Sequence, residues 1–213
     1  MIDPIISYNL PIFRALNLLL WLCIYKKSGL TGLNKETVKY FVYYLAVFTL
    51  WNILMIVSER SGTVYLFFWA IISIYELYLV ITILFKLAGW NYARFAIVIP
   101  ALPTILSAIL SLKYGSYQPV NTVDFFNSII LMIGSTLILR YLLLKKPFIE
   151  NIETFFIFSG FVLYFGLHIL ASNIVAFGPL KNWVFAQNST LIGLIYWLGS
   201  IVCIRKIRYK YSS

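Results

Sequence analysis

Apolar positions gather into seven long runs, at 5–25, 38–57, 64–85, 95–112, 125–144, 155–177 and 183–204. A helix needs about 20 predominantly apolar residues to cross a hydrocarbon core of roughly 30 Å. The pattern therefore predicts an all-α fold, a polytopic membrane protein built as a seven-transmembrane-helix bundle. Connections between runs are short and carry breakers: Gly29 and Gly32, Gly62, Gly89, Gly115 with Pro119, Pro147, and Gly178 with Pro179. No Pro-rich or Ser-rich linker divides the chain, so residues 1–213 are expected to form a single transmembrane domain.

Polar residues inside these runs carry the functional information. The stretch TFFIFSGFVLYFGLHILASNIVAF holds the chain's one histidine, His168. At 1.5 Å per residue it lies roughly 20 Å from the start of its run, at membrane depth. An ionisable group there is costly and reads as a functional candidate. On its helix Phe161, Tyr164 and Ser172 share the face of His168, while Gly166 and Asn173 turn away and are expected to seat a neighbouring helix. Glu76 sits near the middle of the third run, on a face with Trp69, Ser73, Leu79 and Ile83 that is expected to look inward. Arg14 lies at similar depth in the first run, with Asn17 and Trp21 on its face. Opposite charges at one depth predict a buried Arg14–Glu76 pair, because an isolated charge there costs several kcal/mol or changes protonation state. Asn52, Asn127, Gln187 and Thr190 are the remaining polar candidates, expected with the many aromatics to line an outward-opening pocket.

Packing cues are local. Pro100 and Pro103 predict a kink in the fourth helix, beside a ridge of small residues at Thr104, Ala108 and Ser111. Ser189, Gly193, Tyr196 and Ser200 mark a similar face on the seventh. Cys23 and Cys203, the only cysteines, are expected to act as small apolar packers, since two are too few for a disulfide framework or a thiolate metal site.

Composition agrees with the pattern: 62% of residues are hydrophobic, 11% are charged, and mean hydropathy is +0.88. A soluble domain is typically about 25% charged. The net charge of +10 would suggest nucleic acid in a soluble protein, but here the basic residues fall in loops, so no nucleic-acid partner is expected. Thirteen lysines and arginines, among them Lys26, Lys27, Lys86, Arg140 and those of the RKIRYKYSS tail, collect on one side, against Arg60, Lys113 and Lys181 on the other. Positive loops stay cytoplasmic. The amino terminus is thus expected outside and the carboxyl terminus in the cytoplasm, with Asp3, Glu59 and Asp124 flanking the outer face. The start of the chain has no basic region followed by a cleavage site, so no removable signal peptide is expected.

Several chemistries lack their residues. A retinal pigment needs a Schiff-base lysine in its last helix, and 183–204 contains none. Seven-helix zinc hydrolases need several histidines. Intramembrane CAAX-type proteases need paired glutamates, and Glu76 stands alone in its run. Ser135 and Ser159 are possible nucleophiles with His168 as base, without a supporting motif. No catalytic residue, metal or cofactor is assigned.

Around Glu76, in FFWAIISIYEL, and around SGFVLYFG in the sixth run, the chain resembles a family of small, uncharacterised seven-helix inner-membrane proteins of Bacteroidetes. The resemblance spans nearly the whole chain through length and segment order, and departs from the family at Gly166, Leu167 and His168. Because such proteins are often encoded beside two-component sensor kinases, it implies an inner-membrane, multi-pass protein with a sensory or accessory signalling role. The partners expected are the lipid bilayer and a cytoplasmic or membrane signalling protein met through the basic inner loops and tail. A small transporter with Glu76 as coupling-proton site is the alternative, and an intramembrane lipid-modifying enzyme the third reading. Helices 3, 6 and 7 are expected to line the centre that holds Glu76 and His168.

Overall fold

The structure, a computed structural model, describes residues 4–27, 29–57, 62–90, 98–145, 151–173, 195–196 and 198–205, with the backbone alone at 4–13, 27, 52, 55–57, 62, 99, 145 and 171–173. All regular structure among the described residues is helical: α1 (Pro4–Lys27), α2 (Gly32–Val57), α3 (Gly62–Leu87), α4 (Val98–Tyr114), α5 (Gln118–Lys145), α6 (Ile152–Asn173), and helical backbone at 195–196 and 198–205. Three stretches, Thr63–Leu87, Gln118–Leu144 and Ile152–Leu170, are long and apolar enough to cross a membrane.

Helix ends depart from the apolar runs where polar groups find partners. α2 begins at Gly32, six residues before the expected 38, because the polar turn is itself packed: Thr37 is fully buried and its hydroxyl donates to the Leu33 carbonyl at 2.9 Å. Buried Asn34 in the same turn accepts, through Oδ1, the Thr154 backbone N–H at 3.4 Å and the Thr154 hydroxyl. One helix thus supplies an N-terminal cap to another, satisfying a donor left open in the first turn of α6. α5 begins at Gln118 rather than at 125. Pro119 lies in its first turn, where the missing N–H costs no bond, and the Ser116 hydroxyl accepts the Gln118 N–H at 3.3 Å. At the other ends, Gly89 and Gly115 take φ of 74° and 63°. These left-handed turns let the Trp90 N–H reach the Phe85 carbonyl at 2.8 Å and the Ser116 N–H reach the Ser111 carbonyl at 3.2 Å, closing α3 and α4.

Neighbour relations close a ring: α2 packs on α3, α3 on α5, α5 on α6, and α6 back on α2. α1 covers α2, and α4 covers the α3–α5 seam. The core mixes aliphatic with aromatic side chains, and in it Phe41 meets Trp21 of α1 edge-on at 5.0 Å, Tyr196 at 4.8 Å and Phe161 at 6.3 Å between ring centroids. Trp69, Ser73, Glu76, Leu79 and Ile83 are all buried, so the expected inward face of α3 is inward.

Side-chain polarity is partly inverted relative to a water-soluble bundle. α4 buries Thr104, Ser107 and Ser111 while exposing Leu102, Leu106 and Ile109; α5 buries Asn127, Ser128 and Ser135 while exposing Phe126, Ile130 and Ile133. Such a continuous apolar exterior would be costly in water and is what hydrocarbon surroundings favour. The small ridge of α4 is packed as expected. Pro100 falls in the first turn of α4, where it costs no hydrogen bond; Pro103 alone stands inside the helix. Cys203 is fully buried, whereas Cys23 is exposed on α1 and does not pack inward as expected.

Tyr196 and Ser200 are buried, as the small-residue face of the last run predicts, and Ser189 and Gly193 lie outside the described residues. The contact with α6 depends on glycine. A Cβ on Gly160 would collide with the Tyr196 ring, and one on Gly199 would stand 2.9 Å from Phe156 Cγ. By contrast, a Cβ on Gly166 would meet nothing nearer than Met132 Sδ at 3.7 Å. Gly160→Ala should therefore cost about 1–3 kcal/mol through overpacking and lower the thermal midpoint of the detergent-purified protein. Gly166→Ala should leave that midpoint nearly unchanged.

Candidate functional site

One end of the four-helix ring is closed by aromatic packing, and the other opens into a pocket of about 700 Å³. Phe48 and Trp51 of α2 form one wall, and Tyr65, Trp69, Ser73 and Glu76 of α3 descend a second. Phe125 and Ser128 of α5 and Tyr164 and Phe165 of α6 complete the sides. Gln118, Asn121 and Thr122 also line it and are exposed, which places the mouth at the amino-terminal end of α5. Ser73 and Glu76, 4% and 6% exposed, form the floor.

Near the mouth, Asp124 ties three helices together. Its Oδ1 accepts the Trp69 indole N–H of α3 at 3.2 Å, and its Oδ2 lies 2.9 Å from His168 Nε2 of α6. A carboxylate only accepts, so this geometry puts a proton on Nε2 and makes the imidazole the donor. Both oxygens of one side chain are thus engaged by neighbouring helices. The Tyr164 ring lies beside the imidazole, 6.2 Å between centroids. At the floor, the Tyr44 hydroxyl is within hydrogen-bonding reach of the Glu76 carboxylate, and Tyr164 and Tyr196 are close enough to interact with it electrostatically. Glu76 is therefore a buried acid with phenols around it and one side toward the pocket.

Of the residues expected at the site, Glu76, Tyr164 and His168 line this single pocket. Arg14 does not pair with Glu76: no ion pair joins them among the described residues, and the guanidinium stands 3.9 Å over the Phe48 ring, behind the pocket wall. Similar depth says nothing about azimuth around the helix, and the Phe48 ring face offers the cation a favourable quadrupole. Asn127 is buried away from the pocket lining. The Asn52 side chain, Gln187 and Thr190 lie outside the described residues. Phe161 points into the aromatic core rather than the pocket, and α5, not expected at the centre, contributes more lining than α6.

Asp124, expected to flank the outer face, lies near the pocket mouth and turns its side chain into the pocket, because α5 starts at Gln118 and carries it past the first turn. A signal for this was present: Gln118, Asn121, Phe125 and Ser128 recur at three- and four-residue spacing, one face of a helix that begins before the apolar run. The two serines considered as nucleophiles, Ser135 and Ser159, do not line the pocket; Ser73 and Ser128 do, and the Ser128 hydroxyl donates to the Asp124 carbonyl at 2.8 Å.

A double-mutant cycle over Asp124→Asn and His168→Ala, read by thermal or denaturant unfolding in detergent, should show a favourable coupling of about 1 kcal/mol, scaled down from a fully buried charged bond because the pair is near the mouth. Additive single effects would mean that the two side chains do not act together. Comparison with protein-family models, with curated proteins and with solved structures finds no match.

Proposed function

We propose that this chain is a multi-pass inner-membrane sensor or signalling accessory protein, whose pocket binds a small ligand and whose helix packing carries that event to a partner. The observation that carries the reading is the Asp124 junction. A ligand entering at Gln118 and Asn121 meets the one carboxylate that joins α3, α5 and α6, and any group that competes for its oxygens changes how those helices are held. A ligand can shift packing only through such differential contact.

The remaining architecture in this reading is seven spans with the amino terminus outside and the basic tail in the cytoplasm. The Glu36–Lys86 ion pair supports it, since it joins the start of α2 to the end of α3 at the end of the bundle where the basic residues collect. The pocket mouth lies at the opposite end, and so faces outward. The basic inner loops and the tail would meet the partner. A proton-coupled transporter is the second reading, favoured by one observation: a buried carboxylate, Glu76, at the floor of a pocket with a polar mouth.

Three experiments test this. A fluorescent protein fused after Ser213 should be bright and alkaline phosphatase fused there inactive; the reverse would overturn the orientation. The tagged chain, purified from its native cells in mild detergent, should retain a partner that is lost when Lys206, Arg208 and Lys210 are replaced by serine and kept in Asp124→Asn. Solute flux in proteoliposomes that disappears with Glu76→Gln would replace the sensor by the transporter.

A further inference from the structure

We infer that the pocket selects a small organic cation, an ammonium compound taken from the aqueous phase. This rests on the proposal that the pocket is the ligand site and adds the chemistry of what enters it. In a chain of net charge +10, the described residues that line the pocket include Glu76 and Asp124 and neither lysine nor arginine. Its walls are aromatic: Phe48, Trp51, Tyr65 and Trp69 on one side, Tyr164 and Phe165 on the other. Ring faces attract cations through their quadrupole, and enclosure by several rings is how quaternary ammonium groups are held. One of these walls already meets a cation from within the protein, since Arg14 lies 3.9 Å over Phe48.

Charge points the same way. His168 Nε2 lies 2.9 Å from Asp124 Oδ2 and is committed to that carboxylate, while no ion pair reaches Glu76 among the described residues. Glu76 then faces a pocket with no lysine or arginine among its described lining residues. A carboxyl group in a low-dielectric site is costly to ionise without a counter-charge, and an entering ammonium supplies one at Glu76, the acid giving its proton to water as the cation binds. An anion would meet polar donors at the mouth but two acidic side chains farther in, with neither lysine nor arginine among the described lining residues, and is disfavoured. Because Gln118, Asn121 and Thr122 are polar and exposed at the mouth, the route in is through water rather than between acyl chains.

Three isosteres read the charge alone: choline, its uncharged carbon analogue dimethylbutanol, and the anion dimethylbutyrate, titrated calorimetrically into the full chain in neutral detergent. Choline should bind at least tenfold tighter than dimethylbutanol, with dimethylbutyrate weakest, and Glu76→Gln should erase the difference. Where Glu76→Gln does not elute as a single species, Asp124→Asn should narrow the same ratio. Ser73→Leu, which fills the floor, should block binding and so locate it. Equal binding of choline and dimethylbutanol, or preference for the anion, overturns the cation inference, and sensitivity of that binding to Ser73→Leu leaves the pocket reading standing. Binding of none of the three overturns the inference, while the partner-retention experiment judges the signalling role separately.

Discussion

The carboxylate of Asp124, accepting an indole N–H from α3 and an imidazole N–H from α6, is the constraint around which the open end of the molecule is arranged. Three helices whose exteriors are leucine, isoleucine and phenylalanine gain little from apolar contact with one another if their surroundings are equally apolar, so polar bonds and close backbone approach decide how they sit. Asp124 supplies the first at the pocket mouth. The cap that Asn34 lends to Thr154 supplies another at the far end, between α2 and α6.

Between these two polar fastenings the ring changes character along its length. Toward the basic end, aromatic rings interlock and glycine allows direct contact: Tyr196 rests on Gly160 and Phe156 on Gly199. Toward the other end, the same four helices diverge around a pocket whose walls are still aromatic but whose floor and rim are polar. Glu76 stands at the transition, reached by Tyr44 from the packed side and facing the pocket on the other. The buried acid at that boundary has phenols near it rather than Arg14, whose guanidinium lies over Phe48. The two ionisable groups are thus met separately, one among phenols and one by a ring face.

The proposed sensing role and the proposed cationic ligand both draw on this division. A rigid, glycine-fitted half gives the bundle a fixed reference, and a hydrogen-bonded half supplies contacts that a small molecule can exchange for its own. Bonds of that kind rearrange at modest cost, whereas close-packed ring contacts do not.

What the sequence determined by itself is whatever follows from periodicity along one helix. Helical character, the apolar exterior, the inward face Trp69–Ser73–Glu76–Leu79–Ile83 and the small ridge of α4 were all legible, because residues three and four apart share a face whatever the helix packs against. Tertiary structure alone decided which faces meet. Arg14 and Glu76 share a depth, but depth along two helices leaves their rotation open, and rotation sent the guanidinium to Phe48. Asp124 lies one residue before an apolar run, yet α5 continues through it to Gln118, since Pro119 and Ser116 start the helix earlier than hydropathy alone suggests. The pocket centre was read as helices 3, 6 and 7; α3 and α6 do line it, most of the seventh run lies outside the described residues, and α2 and α5 add walls because the ring closes through α6 on α2, a contact between segments far apart in the chain. Spacing along one strand of sequence carries no information about such contacts; they are set by which pairs of surfaces fit, and here by one carboxylate that three helices share.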